Sequence, residues 1–336
     1  PMTAPRFSFV RKSLAGISLA AAAALSPVAV QAADSMTIGT VVWAGYGPFY
    51  VADKLDLYDQ FGLDVELQFF NDPALLPSAM AGNAVDGAML TYDQVVGSVA
   101  KGLPHRVVMP IDFSYGGDAI VAEKSIASVA DFKGQQVGFN PLSPSDFLLA
   151  YALQINGMGE GDIQSVNMTP EGIPSAMASG SLPIGVTYEP NVSQILAMGG
   201  GDKFHVVYSS KDAPGLITDV LAFSEDQIKE NPEAITAMIK GYQAGLEYMQ
   251  AHPEESAEII GKVLGVSGAE AMEQMEGVYN IPLSEMGQNF VESSETTSFY
   301  GSGAVIANLL LKNKQIPAIP DFADTFDASF VSELTK

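Results

Sequence analysis

The chain contains no cysteine. That excludes disulfides, thiol nucleophiles, cysteine metal sites and the lipidated cysteine of a lipoprotein. Basic residues are scarce, with 16 Lys and Arg against 39 Asp and Glu and a net charge of −23. Nucleic acid and anionic membrane surfaces both demand basic patches, so neither is an expected partner. The three histidines, His105, His205 and His252, lack partners at ligand spacing, and HExxH is absent, so no metal is expected. No GxGxxG follows a strand, and GxxxxGK[ST] and GxSxG are missing, which removes the motifs for nucleotide binding and for nucleophile-elbow hydrolases. No nucleophile stands beside a base and no cofactor is implied. Binding without chemistry is the leading class.

Long apolar runs are also scarce. The first segment carries Arg6, Arg11 and Lys12, then an Ala-rich run from Leu14 to Leu25, then Ser26-Pro27 and a small-residue cleavage site at Val30-Gln31-Ala32. This reads as a secretory signal peptide over 1–32, too short for a convincing membrane span. Its removal leaves 13 bases against 39 acids and a net charge of −26, the composition of a soluble exported protein, most simply periplasmic. The remainder is rich in core-forming residues, with 47% hydrophobic and only 16% charged content. Its length suggests two domains or one two-lobed unit.

The stretch that organises the chain is Thr37 to Phe70. A β-branched strand to Val42 runs into the loop Trp43-Ala44-Gly45-Tyr46-Gly47-Pro48. Pro48 opens a helix in which Phe49, Ala52, Leu55 and Tyr58 recur until Gly62. A strand with alternating Val65, Leu67 and Phe69 follows. Such a unit favours a parallel sheet, whose ligands sit beyond the carboxyl ends of the strands, where Trp43 and Tyr46 fall. Trp43 is the single tryptophan of the chain; a core aromatic capping the sheet is the plainer alternative.

The βα alternation continues and then restarts, which predicts an α/β protein. Lobe 1 begins at 36–122, lobe 2 spans 123–218, and the mostly helical 219–336 packs back on lobe 1. Asp118-Ala119-Ile120-Val121-Ala122 and Asp219-Val220-Leu221-Ala222-Phe223 are read as two crossing strands between the lobes. Ala88 to Val96 aligns with Ile184 to Val192, so each lobe carries a strand, a Thr-Tyr-acid triplet and a helix. If the lobes face each other, Thr91, Tyr92, Asp93, Tyr188 and Glu189 aim into one cleft, although Thr91 and Asp93 also suit helix caps.

The candidate cleft collects Trp43, Tyr46, Tyr92, Tyr115, Phe147 and Tyr188, and the acids Asp72, Asp93, Asp112, Asp118, Asp146, Glu189 and Asp219. Lys211 is the nearest base in sequence. Aromatics with carboxylates suit an ammonium or guanidinium-like group through cation–π contact and ion pairing. The helix starts around Ser143, Ser145 and Asp146 and at Pro190 offer a second route, holding an anionic end on backbone N–H groups. A zwitterion such as an aminosulfonate fits both.

Trp43 to Ala52, Ser128-Val129-Ala130-Asp131-Phe132-Lys133-Gly134-Gln135-Gln136-Val137-Gly138, the turn Tyr188-Glu189-Pro190, and Asp212 to Val220 together resemble the nitrate/sulfonate/taurine-type periplasmic substrate-binding proteins of ABC importers. The resemblance covers the mature chain. It implies a type II two-lobed periplasmic-binding-protein fold with two hinge strands, a monomer that closes on one small solute and presents it to a permease and its ATPase. In taurine-binding members an aromatic occupies the turn before the helix-opening proline, a place that Tyr188 or Glu189 takes here, and an acid before the second hinge strand, here Asp219, meets the amino group. The phrase around Asp212 to Val220, with Asp118, is similar to relatives grouped with urea and guanidine assimilation, which favours small nitrogenous solutes. The enzymatic branch of the superfamily, a pyrimidine-precursor synthase, carries a cysteine-rich loop that this chain lacks.

Overall fold

A computed structural model describes residues 33–336, which form one compact unit. The expected signal peptide over 1–32 lies outside the described residues. In chain order the first elements are β1 (Asp34–Thr40), α1 (Gly47–Lys54), β2 (Leu63–Phe69), α2 (Leu76–Ala81), β3 (Gly87–Thr91), α3 (Tyr92–Ala100) and β4 (His105–Ser114). The middle of the chain gives β5 (Asp118–Glu123), β6 (Gln136–Phe139), α4 (Pro144–Ile155), β7 (Gln164–Asn167), α5 (Ile173–Ala178), β8 (Ile184–Tyr188), α6 (Asn191–Leu196) and β9 (Phe204–Ser209). The last part contributes β10 (Thr218–Ser224), α7 (Glu225–Glu230), α8 (Pro232–Ala251), α9 (Pro253–Leu264), α10 (Gly268–Met275), β11 (Val278–Asn280), α11 (Phe299–Lys312) and α12 (Ser329–Leu334).

Two sheets result, one six-stranded in the order β11-β4-β10-β3-β1-β2 and one five-stranded in the order β7-β6-β8-β5-β9. The organising stretch folds as expected, with β1 and β2 parallel around α1. α1 is shorter than its apolar spacing predicts. Asp56 takes a positive φ of 54° and the Leu57 N–H returns to the Ala52 carbonyl, so the helix stops before Leu55 and Tyr58. β3, β8 and nearly all of β5 and β10 are buried, as strands covered on both faces must be. α8 and α9 start at Pro232 and Pro253, where a missing N–H costs nothing. Through α8, α9, α11 and α12 the C-terminal helices pack on α1, α3 and β4 of the first sheet.

The chain changes sheet twice. The expected first boundary at 122 is corrected to 115–117, because β5 pairs with β8 and β9 in the second sheet while β4 extends to Ser114 between β10 and β11. Gly116 makes the turn with φ 107°, a region that favours glycine. The second change runs from Ser210 to Ile217. The two crossovers lie side by side, tied by Ser114 Oγ to Ser210 Oγ at 2.8 Å and by the Gly116 N–H to Ser210 Oγ at 2.8 Å. Few segments therefore link the sheets, the arrangement of a hinge.

Candidate functional site

The loop leaving β1 turns Trp43 and Tyr46 toward the space between the sheets. Trp43 Nε1 donates to Asp112 Oδ2 at 3.2 Å, and the indole passes over two glycines. A Cβ at Gly45 would collide with Trp43 Nε1 and Asp112 Oδ2, and one at Gly117 with the Trp43 ring, so both positions need glycine for the indole to sit there. Tyr188 meets Trp43 edge to face, with centroids 5.9 Å apart and planes at 87°. The Tyr46 hydroxyl donates to Asp219 Oδ1 at 2.6 Å.

Strand register places the acids. On β10, Asp219 lies between Thr91 of β3 and Asp112 of β4, while Asp118 of β5 lies opposite Tyr188 of β8. All three aspartates are buried, and Asp112 Oδ1 has no partner. Burial pushes the Asp118 acid up to about 8, helped by the charges of Asp219, Asp93 and Glu189 and opposed by Ser114. Burial likewise raises Asp112 to about 7, and burial with the Asp112 charge raises Asp219 well above the carboxylate range. The cause is shared: carboxylates out of water with no cation beside them.

Trp43, Tyr46, Tyr188, Asp118 and Asp219 line a cavity of about 20 Å³ walled by Val41, Leu76, Met89 and Leu90, with Gln94 and Pro144 at its edge, while Asp112 lies behind it against the Trp43 indole. No basic side chain lines it. Among the described residues the ion pairs are both made by Arg106, at the other end of β4.

Of the fourteen residues singled out from sequence, Trp43, Tyr46, Thr91, Asp118, Tyr188 and Asp219 meet at this cavity. The others do not. Asp72 caps a short helical turn by accepting from the Ala74 N–H at 3.0 Å. Tyr92 turns away, its hydroxyl 2.7 Å from Thr325 and its ring against Phe299. Glu189 accepts from the Ser193 N–H at 2.9 Å and the Ser193 hydroxyl at 2.7 Å. Tyr115 is exposed beneath Lys211, whose Nζ is 5.5 Å from the ring centroid. Ser143 caps α4 by accepting from the Ser145 N–H, and Ser145 is buried with its own hydroxyl unpaired. Asp93, Asp146 and Ser143 line a neighbouring cavity instead. Gln94 went unnoticed; its signal is the Thr-x-x-Gln capping box with Thr91.

Two sheets joined by paired crossovers, with buried polar groups converging between them, define the architecture of the two-lobed periplasmic solute-binding proteins. The alkanesulfonate-binding protein SsuA from Xanthomonas axonopodis pv. citri matches with a TM-score of 0.74 at 15% identity, covering 88% of this chain and 98% of that one. The chain belongs to the family described as NMT1/THI5 like, whose model matches residues 43–256. A putative binding protein of Brucella abortus (strain 2308) is 26% identical over 229 residues, 65% of this chain and 68% of the relative. The taurine-binding periplasmic protein of Escherichia coli (strain K12) is 23% identical over 250 residues, 73% of this chain and 77% of the relative.

Proposed function

We propose that the chain is the periplasmic solute-binding component of an ABC importer and that its cleft captures a small planar nitrogen cation of the guanidinium type. The observation that carries this is the pair Asp118 and Asp219, buried in the cavity wall beside Trp43, Tyr46 and Tyr188, with Asp112 buried behind Trp43 and no basic side chain lining the cavity. A guanidinium would supply the missing positive charge and donate in-plane N–H groups to carboxylates while its face meets an aromatic ring. The cavity volume points the same way. One water needs about 10–15 Å³ on this measure, so a cavity of about 20 Å³ has no room for a tailed sulfonate without opening. The E. coli relative is named for taurine, which also carries a cationic nitrogen.

The anion alternative meets a specific obstacle. The helix starts that would hold an anion already hold the chain's own carboxylates. Asp146 accepts from the Leu142 N–H at 2.9 Å at the start of α4, and Glu189 accepts from the Ser193 N–H at the start of α6. A sulfonate there would face like charge. The enzymatic alternative finds less support, since the chain has no cysteine for the cysteine-rich loop of that branch. A permease and its ATPase would be the partners, and closure about the paired crossovers would present the solute to them.

Calorimetric titration with guanidinium, urea, taurine, methanesulfonate and nitrate tests the reading. Saturable binding of guanidinium without turnover is expected. Binding of methanesulfonate or nitrate with no response to guanidinium would refute it.

A further inference from the structure

Asp112 and Asp219 face each other across β4 and β10, in register and buried at 0% and 4% exposure. Directly opposite residues of an antiparallel pair project on the same face, where two like charges repel. The two carboxyl groups lie within hydrogen-bond contact of each other, and neither makes an ion pair. As two bare carboxylates they would leave Asp112 Oδ1 shut from water without a donor. A proton held between them removes both costs.

No other neighbour supplies that donor. Asn280 of β11 lies opposite Asp112 on the other side of β4, yet its amide donates to the Gly45 carbonyl at 2.8 Å. The Tyr242 hydroxyl, from α8, serves the Ile111 and Ile281 carbonyls at 2.7 and 2.9 Å. The Tyr50 hydroxyl of α1 donates to the Val41 carbonyl at 2.7 Å. The Trp43 indole satisfies Asp112 Oδ2, and the Tyr46 hydroxyl satisfies Asp219 Oδ1. The charged neighbours that remain, Asp118 of β5 and Asp93 of α3, are acids themselves. Every donor is accounted for, and one acceptor is left over beside two carboxyl groups.

We propose that Asp112 and Asp219 share one proton, and that Asp112 is a positioning residue of the cleft that takes this proton when a cation meets Asp219. Only Asp219 of the pair lines the cavity, while Asp112 lies behind the Trp43 indole. On binding, the proton moves wholly to Asp112, which donates to Asp219, so the pair carries one negative charge before and after. Asp112 thereby places a single charge at the cavity wall, which matches a singly charged solute. Protons released to the buffer come from Asp118. The role in binding rests on the proposed cation; the shared proton does not.

Trp43, the single tryptophan, reads the pair directly because its indole N–H donates to Asp112. Its emission is recorded against pH in the ligand-free protein carrying Asp118→Asn, which removes the other titrating acid of the cavity wall. A step between about pH 6 and about pH 9 is expected, and adding Asp219→Asn should move it down by about one pH unit or more, since the like charge is gone. No step above about pH 6, or a step that Asp219→Asn leaves in place, would overturn the proposal. Asp112→Asn keeps both contacts, its carbonyl accepting from the indole and its amide donating to Asp219. Calorimetry should therefore find its guanidinium affinity at neutral pH within about threefold of the original, whereas a loss of about tenfold or more, as for a carboxylate that holds the cation, would overturn the role of Asp112. An emission step that moves as stated in a protein that ignores guanidinium would support the shared proton and refute the proposed solute.

Discussion

The two lobes contain one helix–strand unit in two settings. Leu76-Pro77-Ser78-Ala79-Met80-Ala81 leads into β3, and Ile173-Pro174-Ser175-Ala176-Met177-Ala178 leads into β8. In each case five residues separate helix from strand, so Thr91 and Tyr188 close their strands at matching places. Pairing agrees, since Thr91 lies opposite Asp219 and Tyr188 opposite Asp118. The similarity of Thr91-Tyr92-Asp93 to Thr187-Tyr188-Glu189 is therefore one residue out of phase with the structure. A shift of one residue exchanges the faces of a strand. Tyr188 thus looks into the cleft while Tyr92 looks into the C-terminal helices. A short motif reports element type, whereas pairing with the neighbouring strand decides which way its side chains face.

If Asp118 and Asp219 are true counterparts, removing either carboxylate should hurt alike. Asp219→Asn and Asp118→Asn are each expected to weaken guanidinium binding about 100-fold, about 2.7 kcal/mol, as read by calorimetry. A large effect of one with none of the other would break the symmetry. A smaller effect is expected where the indole is displaced: Gly117→Ala should cost about 1–3 kcal/mol of stability in denaturant titration, because the added methyl meets the Trp43 ring. The phase shift is tested by the two tyrosines. Tyr188→Ala should weaken binding by about tenfold or more through loss of an aromatic wall, while Tyr92→Phe should lower stability by about 1 kcal/mol and leave affinity unchanged.

The smallest effect concerns pH. Burial raises the acids of Asp112 and Asp118 to about 7 and about 8, above their unfolded values. The stability contributed by the protonated forms is complete below the unfolded carboxyl range and is lost as pH rises through those values. The melting temperature of the ligand-free protein should fall by a few degrees between about pH 5 and about pH 8, and Asp118→Asn should reduce that fall. A melting temperature that rises over this interval would mean the carboxyls are already paired.

Much of the fold is legible in the sequence. Thr37 to Phe70 reads as strand, loop, helix and strand, and 219–336 reads as mostly helical, with Pro232 and Pro253 starting two of its helices because proline at a first turn forfeits no hydrogen bond. Trp43 and Tyr46, expected beyond a strand end, and Asp118 and Asp219, expected at the start of two apolar strands, do line one cavity. Asp72, Glu189 and Asp146 share the same residue types and similar loops but spend oxygens on nearby backbone N–H groups. Composition cannot separate a cap from a ligand contact, because both need a carboxylate at a helix start. The first lobe boundary was misplaced for a related reason: β5 is apolar enough for either sheet, and only pairing with β8 and β9 assigns it.

The central claim is that ionised carboxyls in the cleft hold a cation. Guanidinium affinity measured by calorimetry from about pH 5.5 to about pH 8.5 tests it most directly, since a cation must displace the protons on raised acids. The account predicts binding that tightens as pH rises, with protons released to the buffer. Affinity that is flat or falls with rising pH, or binding confined to sulfonate and nitrate, would contradict it.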